Sequence, residues 1–274
     1  MRYSALTAAV IMGLPLGPAV AGFTNNIMLT GYWPPTNEML RPFSTSPAQN
    51  PGGWIGENWE GRGYNIYSFF PEVQLGGKGT GDFEVDYQDT SPDWWRITAQ
   101  VRPVAIITFS WTSGNAGHGG KDWELEVKNK NRTNWSPDYE APFYPDVNPP
   151  DGSVPAGYER TSTLPLWPIR IALAQAQVGV SAYLDTGTGG TFLSEYIGYH
   201  GLWYQSLHAD PNDPSWCVAA GHIHVGQNVT VAEGFAATEV TLRTLIDYVD
   251  TIVPEPASLA AVLIAAALLR GRSR

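Results

Sequence analysis

The chain has 274 residues, with 11 tryptophans, 22 prolines, 29 glycines, one cysteine and a formal net charge of −10. The lone cysteine, Cys217, excludes an intramolecular disulfide and any metal site built on a cysteine cluster. An acid excess of this size argues against a phosphate footprint, so nucleic acid is not an expected partner.

In chain order, residues 1–21 follow a secretory plan. Arg2 supplies the positive start, an apolar stretch broken by Pro15 and Pro18 follows, and Ala19-Val20-Ala21 places small residues before Gly22. Residues 22–253 form one domain of ordinary size, with 12 basic against 25 acidic side chains. Within it, residues 26–30 (NIMLT), 64–70 (YNIYSFF), 104–111 (VAIITFSW), 178–184 (VGVSAYL) and 218–225 (VAAGHIHV) are β-rich runs that read as buried strands. Helical patterns lie between and after them. Residues 91–100 have Ser91 as N-cap and Pro92 at the first helical position, and 167–177 carry Ile169, Leu173 and Ala176. Residues 190–207 are rich in aromatics, and 233–252 show an apolar stripe from Phe235 to Val249. The charged stretch 121–132 reads as a solvated loop or an edge strand. Alternating strands and helices predict a three-layer α/β/α sandwich with a mostly parallel sheet, whose reactive groups collect at the carboxyl ends of strands.

The far end reads Val253-Pro254-Glu255-Pro256-Ala257-Ser258, then an 11-residue apolar run, then Arg270, Arg272 and Arg274. That run is shorter than the roughly 20 residues a bilayer core requires. The order of motif, run and basic cluster resembles a PEP-CTERM sorting tail over residues 253–274. The resemblance implies export, transient membrane contact through residues 254–274, handling by an exosortase-type enzyme, and a place at the cell surface or outside the cell. Signal peptidase is the partner expected at the other end.

Several segments, in a shared order, resemble the pyroglutamyl peptidase I (pyrrolidone-carboxylate peptidase) family, whose members have an α/β fold and a catalytic cysteine. Thr30-Gly31-Tyr32-Trp33-Pro34-Pro35-Thr36 matches a Thr-Gly-Phe-x-Pro-Phe-Gly turn after the first strand. Ser162-Thr163-Leu164-Pro165, and then Gly190-Thr191-Phe192-Leu193-Ser194, follow the family's order, the latter against Ala-Gly-Thr-Phe/Tyr-Val/Leu-Cys-Asn. Gly221-His222-Ile223-His224-Val225 matches Gly-Phe-Ile-His-Val. The resemblance implies an amide hydrolase without a cofactor. It puts Ser194 in the nucleophile's place and His224 in the base's, with Glu126 in that of the acidic partner (a two-residue shift would bring Glu124 there instead). Tyr32 and Pro35 would stand where the family contacts its substrate, which is a peptide or amide. Serine replaces the family's cysteine, Pro35 replaces the aromatic of Pro-Phe-Gly, and Glu195 replaces the asparagine after the nucleophile, which would set a negative charge beside the oxyanion.

Other readings stand beside this one. His222 and His224 point to one face of a strand, as zinc-binding pairs do, with His118, His200 or His208 available to complete a site; the resemblance accounts for His224 without metal. Trp33, Trp54, Trp59, Trp94, Trp95 and Trp135 would form a stacking surface in a non-catalytic binding or matrix protein, or pack loops onto the sheet.

Overall fold

The structure, a computed structural model, describes residues 23–72, 80–113 and 117–253. The segments expected to serve secretion, 1–21, and sorting, 254–274, lie outside the described residues. No helix among the described residues is long and apolar enough to cross a membrane.

The described residues form ten strands and five α-helices. They are β1 (Asn26–Thr30), α1 (Thr36–Leu40), β2 (Asn65–Phe69), β3 (Pro71–Glu72), β4 (Thr80–Gly81), α2 (Thr90–Val101), β5 (Ala105–Thr112), β6 (Asp122–Glu126), β7 (Lys128–Lys130), β8 (Glu159–Thr161), α3 (Leu166–Ala176), β9 (Ser181–Asp185), α4 (Leu193–Leu207), β10 (Ala219–Gly226) and α5 (Val231–Ile252). Six strands form the main sheet in the order β2-β1-β5-β10-β6-β9. The first four run parallel, β6 pairs with β10 antiparallel, and β9 is parallel to β6. The sheet is therefore mixed but mostly parallel, as expected.

Helices cover both faces. On one, Met39 and Leu40 of α1, Ile169 and Leu173 of α3, and Leu242, Leu245, Ile246 and Val249 of α5 pack onto Ile27, Leu29, Ile107, Phe109, Trp123, Leu125, Ile223 and Val225. On the other, Trp94 and Ile97 of α2 and Leu193, Tyr196, Ile197 and Leu202 of α4 meet Met28, Ile106 and Ala220. Alternation along each strand sends successive side chains to opposite layers, which is why a parallel sheet needs both covered.

The five expected strands are present within a few residues. The stretch 121–132 behaves differently from its reading: β6 is an interior strand, with Trp123 and Leu125 fully buried. Its alternation of Trp123 and Leu125 with Asp122, Glu124 and Glu126 sends the carboxylates to the α4 side. Helix α2 begins at Thr90 with Asp89 at the cap position, not at Ser91. The Ser91 hydroxyl is taken up instead by His200 Nε2 at 2.7 Å. Helix α5 starts on a reciprocal capping box between Thr230 and Glu233.

Candidate active site

The site lies on the α4 side of the sheet, where the second face turns polar. Direct pairing sets His222 of β10 beside Thr108 of β5, and His224 beside Ser110 on one flank and Glu124 on the other. The two imidazole rings are 4.7 Å apart between centroids. His222 is fully used: its Nδ1 is 2.7 Å from the Thr108 hydroxyl and its Nε2 is 2.8 Å from that of Ser110. Burial pushes it down to about 3 against the opposing charge of Glu126, so it is neutral at ordinary pH.

His224 is 6 % exposed, and its Nδ1 lies 2.8 Å from Glu126 Oε1. The two side chains form an ion pair whenever the imidazole is protonated. Burial opposes the charged imidazole, but Glu126, then Glu124 and Glu195, outweigh it and raise His224 above its ordinary value. In return, burial would raise the Glu126 carboxyl, but the His224 charge and the hydrogen bond from Asn129 overcome it and hold that group below the usual range. Of the two carboxylates left open by the sequence, Glu126 reaches the imidazole and Glu124 lines the adjoining cavity.

Ser194 is the second residue of α4, after a glycine-rich turn. Gly190 has φ of +89°, a conformation that favours glycine. At Gly189 a Cβ would come 2.2 Å from Glu126 Oε1 and 2.8 Å from Glu195 Oε2, so the missing side chain is the space the two carboxyls occupy. Helix α4 carries apolar and aromatic residues nearly all round and is buried along most of its length, which fixes its start over the sheet. Its first turn leaves backbone N–H groups without helical acceptors, the usual place for an anion.

Ser194 and His224 line one cavity of about 340 Å³, with Tyr32, Trp33, Trp111, Glu124, Tyr139, Asp185 and Phe192 among the other lining residues. Among the described residues no hydrogen bond joins Ser194 to His224. Tyr32 is on the cavity wall; Pro35 is buried at the start of α1 and does not line it. Glu195 faces away from the cavity. It is fully buried, accepting from Asn129 Nδ2 at 2.9 Å and Lys130 N at 2.6 Å, with Arg132 Nε 3.4 Å away. Burial, and then the Glu126 charge, push it up to about 7. The expected charge beside the oxyanion is thus directed inward, to a place where it is partly neutralised. Asn129 also donates to Glu126 at 2.5 Å and so ties the two carboxyls together.

Sequence reasoning passed over four of these residues. Asn129, Arg132, Trp111 and Asp185 lie in segments whose roles appear only when the strands are laid side by side, although the period-two pattern of β6 was a usable signal for that strand.

Two other arrangements are less suited to chemistry. Glu126, His222 and His224 bring ligand atoms within 4.8 Å of one another, but both His222 nitrogens are already bonded to hydroxyls. His118 and His208 pair with Asp122 and Asp213. Ser91 and His200 are in direct contact, yet His200 Nδ1 faces the Tyr196 carbonyl and burial lowers His200 to about 4. A proton taken from Ser91 would leave an imidazolium with no carboxylate bonded to it.

No protein-family model matches the chain, and no curated protein does. Solved structures do. Pyrrolidone carboxyl peptidase from Thermococcus litoralis aligns over 83 % of this chain and 96 % of its own, with 16 % identity and a TM-score of 0.57. Pyroglutamyl peptidase I from Bacillus amyloliquefaciens aligns over 81 % and 97 %, with the same identity and TM-score. A mutant pyrrolidone carboxyl peptidase from the hyperthermophile Pyrococcus furiosus aligns over 82 % and 99 %, at 16 % identity and a TM-score of 0.59. The chain therefore has the α/β architecture of the pyroglutamyl peptidases, at a sequence identity that establishes the fold alone.

Proposed function

We propose that this protein is a peptidase-like hydrolase that cleaves an amide bond through an acyl-enzyme on Ser194. The observation that carries the reading is the placement of Ser194 and His224 on one cavity, with the buried Glu126 carboxylate behind the imidazole. The Glu126 contact favours the proton on His224 Nδ1 and leaves Nε2 as the base. Ser194 Oγ attacks the carbonyl carbon as its proton passes to Nε2. The first turn of α4 meets the oxyanion with backbone N–H groups, and the protonated imidazole then gives its proton to the leaving amine. Water, deprotonated by the same nitrogen, hydrolyses the ester. Serine needs this help more than the cysteine it replaces, since a hydroxyl is not ionised near neutral pH. A pyroglutamyl amide is the first substrate suggested by the fold. Under this reading the segments 1–21 and 254–274 serve export and surface sorting.

A second reading is a surface-sorted binding or matrix protein that kept the fold and lost the chemistry. The missing Ser194–His224 hydrogen bond favours it. Labelling the full-length protein with a fluorophosphonate separates the two: the hydrolase labels, and both Ser194→Ala and His224→Ala abolish the label. A folded wild-type protein that stays unlabelled sinks the hydrolase reading and leaves the binding protein.

A further inference from the structure

The cavity in front of Ser194 has two walls of different chemistry. One is acidic. Glu124 and Asp185 line it, and their carboxyl oxygens lie within 4.8 Å of each other and of Glu126. Among the described residues no lysine or arginine lines the cavity, and the one histidine that does, His224, is paired with Glu126. Asp185 accepts a backbone bond from Gly187 at 2.8 Å on one oxygen.

The other wall is aromatic and continuous. Trp33 and Trp111 stack at 6.4 Å, Tyr139 is 5.6 Å from Trp33, and Phe192 is 5.3 Å from Tyr139. Tyr32 adjoins Trp33 at 6.0 Å, is 2 % exposed, and its hydroxyl proton has no acceptor among the described residues. A buried phenol on a cavity wall with no acceptor awaits one from a ligand.

We propose that this cavity recognises a protonated amine next to an acyl group, as in the free N-terminus of a peptide or an amino-acid amide, in preference to a neutral lactam. Carboxylates paired with aromatic faces are complementary to an ammonium: the first give charge-assisted hydrogen bonds, the second a cation–π contact. The Tyr32 hydroxyl would donate to the neighbouring carbonyl. A lactam nitrogen is uncharged and brings no counter-charge to two partly desolvated carboxyls that have only the His224 imidazole to offset them. Burial, partly opposed by His224, raises Glu124 to about 7, so an ammonium seated at this wall would draw the carboxyl into its charged form. A hard metal ion is the weaker fit, because it needs about six oxygen ligands and rings supply none. The acid excess of the whole chain attracts cations from a distance as well.

The inference rests on the acyl-transfer reading for the direction in which the amine lies, but its test does not use the nucleophile. Full-length Ser194→Ala protein is titrated calorimetrically with leucinamide, N-acetyl-leucinamide, pyroglutamyl amide, and calcium, magnesium and zinc chlorides alone. The expected result is binding of leucinamide about tenfold or more tighter than either neutral amide. Adding Glu124→Gln or Asp185→Asn weakens leucinamide by a similar factor, with the near-ultraviolet spectrum showing an intact fold. The aromatic arm, Trp111→Leu, weakens it too. Pyroglutamyl amide binding as well as or better than leucinamide overturns the proposal. So does metal binding that the carboxylate variants abolish while leucinamide fails to bind, and so does no binding by any probe. Amine binding by a protein whose Ser194 never labels would retain the proposal and discard the hydrolase; a labelled serine without amine preference would do the reverse.

Discussion

At the scale of the residue, the site is governed by how buried charges are shared. Glu126 and His224 stabilise each other's charged forms, while Glu195 takes up the strain of the second carboxyl by holding its proton to about 7. A base must be neutral to act, so the rate of fluorophosphonate labelling should rise with pH along a limb centred above the ordinary imidazole value of 6.5. Glu126→Gln removes the charge that raises His224 and leaves the burial that lowers it. The limb should then move to lower pH, with a slower plateau. A limb that stays in place would deny Glu126 its positioning role. The sign for stability follows the same pair. The raised His224 contributes below its unfolded value and loses that contribution as pH rises through the folded one. The depressed Glu126 contributes above its unfolded value and loses it as pH falls.

At the scale of the element, α4 is the piece that brings nucleophile and sheet together, and a glycine sets how close it comes. A Cβ at Gly198 would lie 2.9 Å from Asn129 Nδ2 and 3.0 Å from His222 Cγ. Alanine in a helix interior ordinarily gains about 1 kcal/mol over glycine. Here the clash, worth roughly 1–3 kcal/mol, falls on two residues held by hydrogen bonds. Gly198→Ala should lower the urea midpoint rather than raise it, and a raised midpoint would mean that the helix shifts freely. The elements differ in how plainly they could be read. Strands β1, β5 and β10 are long apolar runs in the sheet interior, and Ser194, His224 and Glu126 were found by matching motifs around such strands. Strand β6 was hidden because its charges, which face the site, look like solvent-facing charges when only one strand is in view. Ser91 has the local pattern of a cap, but its hydroxyl's partner is His200, 109 positions away, which no local pattern shows. Three of the six tryptophans considered as a stacking surface, Trp59, Trp94 and Trp135, are buried packing residues, and propensity cannot tell those from the cavity's Trp33.

At the scale of the whole molecule, the two layers are unequal. The layer under α1, α3 and α5 is mainly apolar and its buried polar groups, such as Ser68, Thr238 and Thr241, are uncharged hydroxyls bonded to backbone carbonyls, whereas the one under α2 and α4 also encloses Thr108, Ser110, His222, His224, Glu124 and Glu126. A buried polar layer adds stability only if its groups are satisfied, so the fold's main stabilisation comes from the first layer and its specificity for ligands from the second. Cys217 belongs to the α2 and α4 layer, just before β10, and is fully buried. Burial pushes its thiol well up, so it is a poor nucleophile in the native state. A disulfide reagent should leave the native protein almost unmodified and react fully in denaturant; rapid native labelling would contradict the packing. The same seal makes the sulfur a clock. With a single thiol in the chain, every molecule modified under native conditions has opened the layer beneath the candidate site, and at reagent concentrations high enough to outpace reclosing the modification rate becomes the opening rate. Ligands that close the cavity would slow that clock, even where no turnover can be seen.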